Sequence, residues 1–542
     1  MKKFNIITLA LIGLIFGSCA KSLDVAPPNN IYAEQVQDLM LNGTDAQKEM
    51  IASALSATMA TYLSYYDNGN LYSTGSAGPN TVYYQSTNDF QRMVTGDDII
   101  SGTAANKTSA ASDYNWTKVN NQSSLNSDPY WFNAARPVAE ANKLFRYMTE
   151  EAAAGSPLYA DGRAKALIVR AYGYMQLMES FGTETLGMPL YDKYDLTQEI
   201  KKERATPAKT YAFIISDLKE AVSCIKKAGK SYTNGTTIAG AEDFDLGLAY
   251  FLMARAALWN KDYALCIEAC NEIINSGTYS LIKPENYGTR NTGSLDLDGD
   301  GNITNVKFLP HENAFLNLAV NPEVIFGHKL GSGYLGQNSV MVSAFLNPFT
   351  AGSGVSRVNP SLYEKMDNND VRKAIVETTA IGKYATATSA WDVPDYISYK
   401  FADNFGLQPD GTSYTDRELW KAGSFEFAKF RLAEVYLMKA EAQEMQTAGS
   451  GAATLKVLTD ARALPGTTVA YTYNGMESIK LQWSIEMWGE GGREYYNKKR
   501  WGDDIVRSTH HWSNAGQTLQ NSKLTNILPN NEIFYGCGIQ NN

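Results

Sequence analysis

Apolar residues recur at helical spacing over much of the chain. The clearest run takes alternating steps of four and three residues, at Leu167, Ala171, Tyr174, Met178 and Phe181. Side chains with this spacing share one face of an α-helix, and such a face packs against a core. Gly182 follows the run and is typical of a helix end. The pattern therefore predicts an amphipathic helix that ends near Phe181.

A pair of shorter runs predicts two helices joined by a tight turn. The first run spans residues 248–259 and the second spans 263–274, with only Asn260-Lys261-Asp262 between them. Two amphipathic helices with a short turn and a small residue in each resemble a tetratricopeptide repeat. One such copy is clear in the sequence.

Further helical patterns lie on both sides of a segment that lacks them. They are at Trp131 to Thr149, from Thr206-Pro207 onward, at Phe425 to Ala463, and at Met476 to Gly489. Residues 277–424 are instead rich in Gly, Asn, Ser and Tyr, with one strand-like stretch at Glu323 to Lys329. We predict a mostly α fold, in which residues 31–542 form one domain. Its tetratricopeptide-like helical scaffold spans 31–276 and 425–542, and its loop-rich insertion spans 277–424.

The first residues have the pattern of an export signal. Lys2 and Lys3 precede an apolar run over residues 4–16, and Gly17-Ser18 precede Cys19. The run is shorter than the roughly 20 residues of a membrane span. Small residues directly before a Cys resemble the lipobox of bacterial lipoproteins, although Phe16 stands where Leu is usual. We expect residues 1–18 to be a signal peptide, Cys19 to be acylated and 19–30 to be a tether; a plain signal peptide is the alternative.

Charge and cysteine content exclude two classes of protein. The net charge of −9 comes without a basic stripe or tail, which argues against binding to nucleic acid. Beyond Cys19, the cysteines are too few for a disulfide scaffold of this size; they are Cys224, Cys266, Cys270 and Cys537. Cys266 and Cys270 have no His partners nearby in sequence, so we expect buried thiols instead of a metal site.

One acidic segment resembles the first half of a calcium-binding loop. Asp296, Asp298 and Asp300 occupy positions one, three and five, Gly301 occupies position six, and Asn302 follows. Position twelve is Lys307 where an EF-hand has a bidentate Glu, so the loop is not a complete EF-hand. We expect either a structural Ca²⁺ held by Asp296, Asp298, Asp300 and Asn302, or a solvated acidic turn. No cofactor is required.

Motifs for catalysis are weak. The four histidines do not have the spacing of zinc proteases, and no Gly-x-Ser-x-Gly motif occurs. Gly331 to Gly336 matches a dinucleotide fingerprint, but no βαβ unit surrounds it. A pair of catalytic carboxylates, as in glycoside hydrolases, cannot be recognised in one sequence. We expect a protein that is not an enzyme, with a hydrolase as the alternative.

Several ordered motifs resemble the SusD/RagB family. Arg170-Ala171-Tyr172-Gly173-Tyr174 resembles the family's aromatic helix, and the helix from Phe430 to Ala442 resembles its most recognisable segment. Glu486-Met487-Trp488-Gly489-Glu490-Gly491-Gly492-Arg493, with Arg500-Trp501-Gly502, resembles its C-terminal signature. The resemblance extends over nearly all of the chain.

The resemblance implies a lipid-anchored protein on the outer face of the outer membrane. Such a protein captures an oligosaccharide, or a peptide, and delivers it to a SusC-like TonB-dependent transporter. It also implies ligand contacts in loops that here contain Tyr83, Tyr84, Tyr114, Trp116, Tyr334 and Trp391; ordinary packing is the alternative for each. We expect Glu434, Glu441, Glu490 and Arg493 to pair between helices instead of binding ligand. A pure scaffold without ligand is a further alternative.

Overall fold

A computed structural model gives the fold of most of the chain. It describes residues 33–68, 85–101, 111–194, 202–289, 294–297, 303–307, 313–328, 346, 356–380, 382–385, 390–402, 426–536 and 540–541. The described helices are α1 (Ala33–Asn42), α2 (Asp45–Asn68), α3 (Gln85–Thr95), α4 (Ala111–Tyr114), α5 (Thr117–Asn120), α6 (Ser124–Leu144), α7 (Glu150–Gly155), α8 (Pro157–Phe181), α9 (Pro207–Lys227), α10 (Ile238–Ala241), α11 (Leu246–Trp259), α12 (Tyr263–Asn275), α13 (Pro360–Tyr363), α14 (Val371–Ala374), α15 (Leu432–Gln446), α16 (Ala452–Asp460), α17 (Gly475–Glu486) and α18 (Arg493–Trp501).

The described strands are short. They are β1 (Ile99–Ile100), β2 (Ser294–Leu297), β3 (Ile303–Lys307), β4 (Val324–His328), β5 (Arg357–Val358), β6 (Val376–Glu377), β7 (Gly382–Ala385), β8 (Ala390–Val393), β9 (Ile397–Ser398), β10 (Phe427–Arg431), β11 (Ile505–Val506) and β12 (Thr518–Leu519). Strands β2, β3, β7 and β8 form one sheet in that order, and the other strands pair in twos. The mostly α fold with tetratricopeptide-like helices is confirmed.

Helix α8 lies at the centre of the first core. It packs against α2, α6 and α9, and α9 packs in turn on α11. A helix that contacts neighbours on several sides must bury polar residues too, and α8 buries Arg170. The Arg170 guanidinium donates two hydrogen bonds of 2.7 Å to the Asp217 carboxylate on α9 and one of 2.8 Å to Asn142 on α6. A buried charge requires such partners, so the Arg170 of the aromatic helix motif joins three helices.

The predicted helix pair is present as α11 and α12. Asp245 accepts a hydrogen bond from the Leu248 amide, and Asp262 accepts one from Leu265, so each helix has an N-cap. Helix α12 packs against α15, which brings the C-terminal helical block onto the repeat. Cys224, Cys266 and Cys270 are free, buried thiols, which confirms the expectation for Cys266 and Cys270.

The start of the C-terminal helical block is a strand instead of a helix. Residues 427–431 form β10, which pairs antiparallel with β4, and α15 begins only at Leu432. Phe430 therefore reaches the first core from a strand, where its ring stacks on Phe251 with centroids 4.6 Å apart. The helical prediction for this stretch fails because Phe427, Ala428 and Phe430 are too few apolar positions to distinguish a strand from a helix.

A second core lies beside the helices and includes most of the described insertion. It contains residues of β5, β6, β8 and β9 together with Phe90 and Ile99 from the N-terminal part and Ile485 and Trp488 from the C-terminal part. Short strands fix this arrangement, because Ile99 pairs with Val358 and Val376 pairs with Ser398. The second core therefore joins segments that are far apart in sequence.

A buried ionic network connects the two cores. Its cations and carboxylates come from six separate segments of the chain; they are Arg372, Lys400, Arg431, Arg462, Glu323, Asp370, Glu486 and Glu490. Glu486 accepts hydrogen bonds from three arginines, at distances of 2.7–3.0 Å. These arginines lower the pKa of Glu486 well below its usual value, although burial alone would raise it. Glu490 bonds Lys400 and Arg431, which confirms that it pairs between segments.

Other charged residues of the two signature motifs also have protein partners. Glu434 accepts a 2.6 Å hydrogen bond from Arg255, and Glu441 pairs with Arg500. Arg493 lies 3.8 Å from the Glu179 carboxylate. The prediction that these residues connect helices is confirmed.

Among the described residues, no helix combines the length and apolar character of a membrane span.

Candidate functional site

Three half-buried aromatic residues lie on the surface of the second core. They are Trp512, Tyr396 and Tyr363, and each packs against core residues while the residue stays partly accessible. We call the surface formed by these residues with Arg357 and Asp395 the aromatic face. Partly exposed aromatic rings next to charged groups suit ligands that have both apolar and polar surfaces.

Two contacts hold the Trp512 ring in place, one on its face and one at its indole N–H. Its ring stacks on Tyr114, with centroids 4.5 Å apart and planes inclined by 23°. Its indole N–H donates a 2.7 Å hydrogen bond to the Ser101 carbonyl, just beyond β1. Tyr114 is fixed in turn by a 2.8 Å hydrogen bond between its hydroxyl and His511 Nδ1. The Trp512 ring is therefore positioned before any ligand arrives.

Arg357 brings a charge to the same edge. Arg357 pairs with Ile100 across the β1–β5 ladder, and Ile100 directly precedes Ser101, the residue that Trp512 bonds. The Arg357 guanidinium forms an ion pair with Asp395. Its positive charge also acts on the Tyr114 hydroxyl, although burial raises the pKa of Tyr114 to about 12. Because the Arg357–Asp395 pair is partly exposed, both groups can exchange hydrogen bonds with a ligand.

Tyr396 and Tyr363 continue the aromatic face toward a shallow pocket. Their rings meet edge to face with centroids 5.5 Å apart, and the Tyr396 carbonyl accepts the Val358 amide at 2.9 Å. Tyr396 has a φ of 55°, an unusual value for a residue other than glycine. The pocket beside Tyr363 has a volume of about 300 Å³ and polar walls that include Lys373 and Glu377. One aromatic ring with nearby charged and amide groups is a suitable lining for a sugar.

A buried carboxylate joins the C-terminal signature to the turn formed by Gly96, Asp97 and Asp98 near this face. Glu494 on α18 accepts the backbone amides of Asp97 at 2.8 Å and Asp98 at 3.0 Å. Gly96 permits this approach, because a Cβ there would lie 1.9 Å from Glu494 Oε2. Asp97 also accepts a hydrogen bond from Ser508 and contacts His511, which lower its pKa against the effect of burial.

The Glu494 carboxyl is predicted to make stability depend on pH. Burial and the Asp97 charge raise the pKa of Glu494 from 4.5 to about 7, and burial and Glu494 raise that of Asp98. Above about pH 4.5 the folded state therefore keeps a proton on Glu494 that the unfolded chain releases. The stability that this bound proton contributes is lost as the pH rises from 4.5 to about 7. We expect Glu494→Gln to lose less stability over this range than the wild type. Urea unfolding of both proteins at about pH 5 and about pH 8 measures the loss of stability, and equal losses in Glu494→Gln and the wild type would contradict the prediction.

Comparison with family models decides the identity of the fold. Residues 33–239 match a SusD-like model described as "Starch-binding associating with outer membrane", and residues 362–532 match the model of the SusD family. Together the two ranges span more than half of the 542 residues. The chain belongs to the SusD/RagB family. No curated protein is significantly similar in sequence.

Solved structures of SusD superfamily proteins share this fold. One from Bacteroides thetaiotaomicron VPI-5482 has 19% identity and a TM-score of 0.62, and the match covers 92% of this chain and 100% of that one. A SusD-like carbohydrate binding protein from Bacteroides vulgatus ATCC 8482 has 16% identity, a TM-score of 0.64 and coverages of 90% and 96%. Surface glycan-binding protein A from Bacteroides fluxus has 18% identity, a TM-score of 0.59 and coverages of 92% and 99%.

Two of the ligand contacts that the SusD/RagB resemblance implies are corrected by the structure. Tyr114 and Trp116 are 0% and 2% exposed, so neither has a ring face open to a ligand. Trp116 donates its indole N–H to the Thr95 carbonyl at 2.9 Å, and both rings lie within 4.6 Å of the Arg507 guanidinium carbon. They pack beneath the aromatic face instead of forming it. Trp512, which the sequence-based prediction misses, is the ring above Tyr114.

The remaining predicted residues lie outside the described part of this SusD/RagB chain. Tyr83, Tyr84, Tyr334, Cys19, Asp298, Asp300 and Asn302 are in segments that the structure does not describe. Trp391 in β8 and Asp296 in β2 have described backbones only. Strands β2 and β3 pair on both sides of residues 298–302, so the calcium loop would connect a hairpin. The described residues contain no cluster of acidic, His or Cys side chains arranged for a metal, and the calcium site stays a prediction.

Proposed function

We propose that this chain captures an oligosaccharide on the aromatic face and acts without catalysis. The observation that carries the proposal is the fixed position of Trp512, which stacks on Tyr114 and bonds Ser101 while the residue stays partly accessible. An aromatic ring packs against the apolar side of a pyranose, and the nearby Arg357 and Asp395 can bond its hydroxyl groups. Family membership supports the glycan class, since relatives of this fold are described as carbohydrate-binding and glycan-binding proteins.

We further propose that the protein is lipid-anchored through Cys19 on the outer membrane and delivers its ligand to a SusC-like TonB-dependent transporter. The signal pattern before Cys19 and the matching family model, whose description includes association with the outer membrane, support this location. Cells that lack this protein should take up the captured glycan more slowly. Replacing Cys19 with Ala should have the same effect, and unchanged uptake in both strains would contradict the delivery role.

Loss of the Trp512 ring is expected to weaken glycan binding about tenfold, equivalent to about 1.4 kcal/mol. Calorimetry with the chain from residue 20 onward and a panel of oligosaccharides and peptides measures the affinity of the wild type and of Trp512→Ala. Trp259→Ala is the matched control, because Trp259 is also half-buried but lies on α11 and is not one of the residues that pack on the second core, which carries the aromatic face.

The panel also separates the alternatives. Binding to one glycan class that Trp512→Ala weakens and Trp259→Ala leaves unchanged supports the proposal. Binding to peptides alone would replace the ligand class, and cleavage of the ligand during the measurement would show a hydrolase. Equal affinities of the wild type and Trp512→Ala would remove the aromatic face from the site.

A further inference from the structure

A second cleft lies between α16 and α17, on the helical scaffold. It has a volume of about 380 Å³ and shares no lining residue with the pocket beside Tyr363. Leu455 and Leu481 contribute apolar surface, and the connection between the two helices contributes Tyr471 and Tyr473. Sites for small ligands usually have volumes of about 300–1,000 Å³, so the cleft is large enough for a compact ligand.

A buried amide supplies a hydrogen-bond donor inside the cleft. Gln482 lines the cleft and is 1% exposed, and its Oε1 accepts a 2.7 Å hydrogen bond from Arg372. Because arginine only donates, this bond fixes which end of the amide faces Arg372. The Gln482 Nε2 group donates no hydrogen bond to a described residue and is not one of the fully buried polar atoms that lack a partner, so water or a ligand in the cleft can reach it. An acceptor on a ligand can therefore take the place of water at this donor, whose direction the Arg372 bond fixes.

The two tyrosines present ring surface instead of hydroxyl groups. The Tyr471 hydroxyl donates to Asp370 at 2.8 Å and accepts the Asp367 amide at 3.1 Å. The Tyr473 hydroxyl donates to Glu444 at 2.5 Å. With the hydroxyl groups engaged, the rings remain half-buried walls of the cleft. Flat rings of this kind pack against the apolar side of a sugar.

Tyr471 and Gln482 are positioned by the same ion pair. Asp370 bonds the Tyr471 hydroxyl, and Arg372 bonds the Gln482 amide. Arg372 and Asp370 are joined in turn by hydrogen bonds of 2.9 and 2.6 Å, and both are buried. The wall and the donor are therefore fixed relative to each other without ligand, which lowers the entropic cost of binding.

The rim of the cleft contains accessible charges. Lys456 and Asp460 on α16 form an ion pair of 2.6 Å, with side chains 70% and 53% exposed. An exposed pair contributes little to stability, so its partners can turn toward a ligand at low cost. A cation and a carboxylate together can bond neighbouring hydroxyl groups as donor and acceptor.

We propose that this cleft is a second carbohydrate site that takes a single pyranose ring. The ring packs against Tyr471 or Tyr473, a ring oxygen or hydroxyl accepts from Gln482 Nε2, and outer hydroxyls meet Lys456 and Asp460. The proposal rests on the proposed glycan function for the class of its ligand. Its location on the scaffold, away from Trp512, allows the two sites to be tested separately.

Crystal soaks test occupancy directly. Crystals of the chain from residue 20 onward are soaked separately with the methyl glycosides of glucose, galactose, mannose, xylose and N-acetylglucosamine, at high millimolar concentration. We expect at least one sugar ring in the cleft, within hydrogen-bond distance of Gln482 Nε2. Absence of a ring from the cleft in all five soaks would overturn the proposal.

Two variants test binding in solution with the methyl glycoside that occupies the cleft. Ala453→Phe should abolish its binding, because Ala453 is exposed and lines the cleft, so the larger ring fills it without disturbing a buried contact. Val457→Phe is the control on the same helix, at an exposed position outside the lining. Gln482→Glu keeps an oxygen for Arg372 but removes the donor, and should weaken binding roughly tenfold or more.

The outcomes separate this inference from the proposed function. If Ala453→Phe and Gln482→Glu bind the methyl glycoside as Val457→Phe does, the second site is refuted, while binding that depends on Trp512 would still support the aromatic face. If Ala453→Phe abolishes binding and Trp512→Ala has no effect on any glycan, the cleft stands and the aromatic face is refuted.

Discussion

Glu486→Gln should lower the free energy of unfolding by about 3–5 kcal/mol, the usual cost of breaking a buried ion pair. Glu486 is 0% exposed and accepts hydrogen bonds from Arg372, Arg431 and Arg462. The substitution keeps the size of the side chain but removes the negative charge. The three guanidinium groups would then stay buried with less compensation, and an amide N–H₂ would face donors.

The control for this prediction lies on the same helix. Glu477, in the first turn of α17, has a side chain that is 73% exposed, so Glu477→Gln should change the free energy of unfolding by less than about 0.5 kcal/mol. Urea unfolding of both variants gives the comparison. A loss below about 1 kcal/mol for Glu486→Gln would show that the remaining carboxylates compensate the arginines without it.

Arg507→Met should lower the free energy of unfolding by at least about 3 kcal/mol, because each buried carbonyl left without a donor costs about 1–3 kcal/mol. The Arg507 guanidinium donates to the backbone carbonyls of Val94, Gly96, Tyr114 and Ser513, at 2.7–3.1 Å. Methionine has a similar length but no donor. It would also remove the cation that lies over the rings of Tyr114 and Trp116.

Binding separates this variant from a general loss of stability. Because Tyr114 supports the Trp512 ring, Arg507→Met should also weaken glycan binding under conditions where the variant is fully folded. Arg146→Met is the matched control, since Arg146 is exposed on the turn after α6 and should change neither property measurably. Wild-type stability of Arg507→Met would contradict the assigned role.

The regular helices of the scaffold could be predicted from sequence, because their apolar spacing reflects packing on one side. The structure contains the predicted helix that ends at Phe181, the predicted pair α11 and α12, and the helix that Thr206 caps. The second core could not be predicted, because its strands of two residues pair across distances such as Ile99 to Val358. No local pattern encodes a contact of that separation.

The aromatic face shows the same limit for function. Trp512 follows two histidines in a segment without periodic spacing, so its sequence gives no signal that a ring stays accessible there. The resemblance to the SusD/RagB family implies ligand contacts at Tyr114 and Trp116, but no pattern in the sequence shows that both rings are buried. Whether an aromatic ring is accessible or buried depends on contacts with residues far along the chain, as the bond between Tyr114 and His511, about 400 residues apart, shows.

The pairing of β4 with β10 has a consequence for the divergence of such proteins. His328 and Phe427 are opposite each other in the ladder, so the chain leaves the scaffold and returns to it at adjacent strands. Strands that pair lie about 4.8 Å apart, and a segment closed at such a stem can change length at a small entropic cost. Insertions or deletions in the parts of this segment that lie outside the second core and the buried ionic network would alter the surface offered to ligands, while the helical scaffold keeps its geometry. The β4–β10 pair therefore lets surface loops of this segment vary in length, while its core residues stay tied to the scaffold.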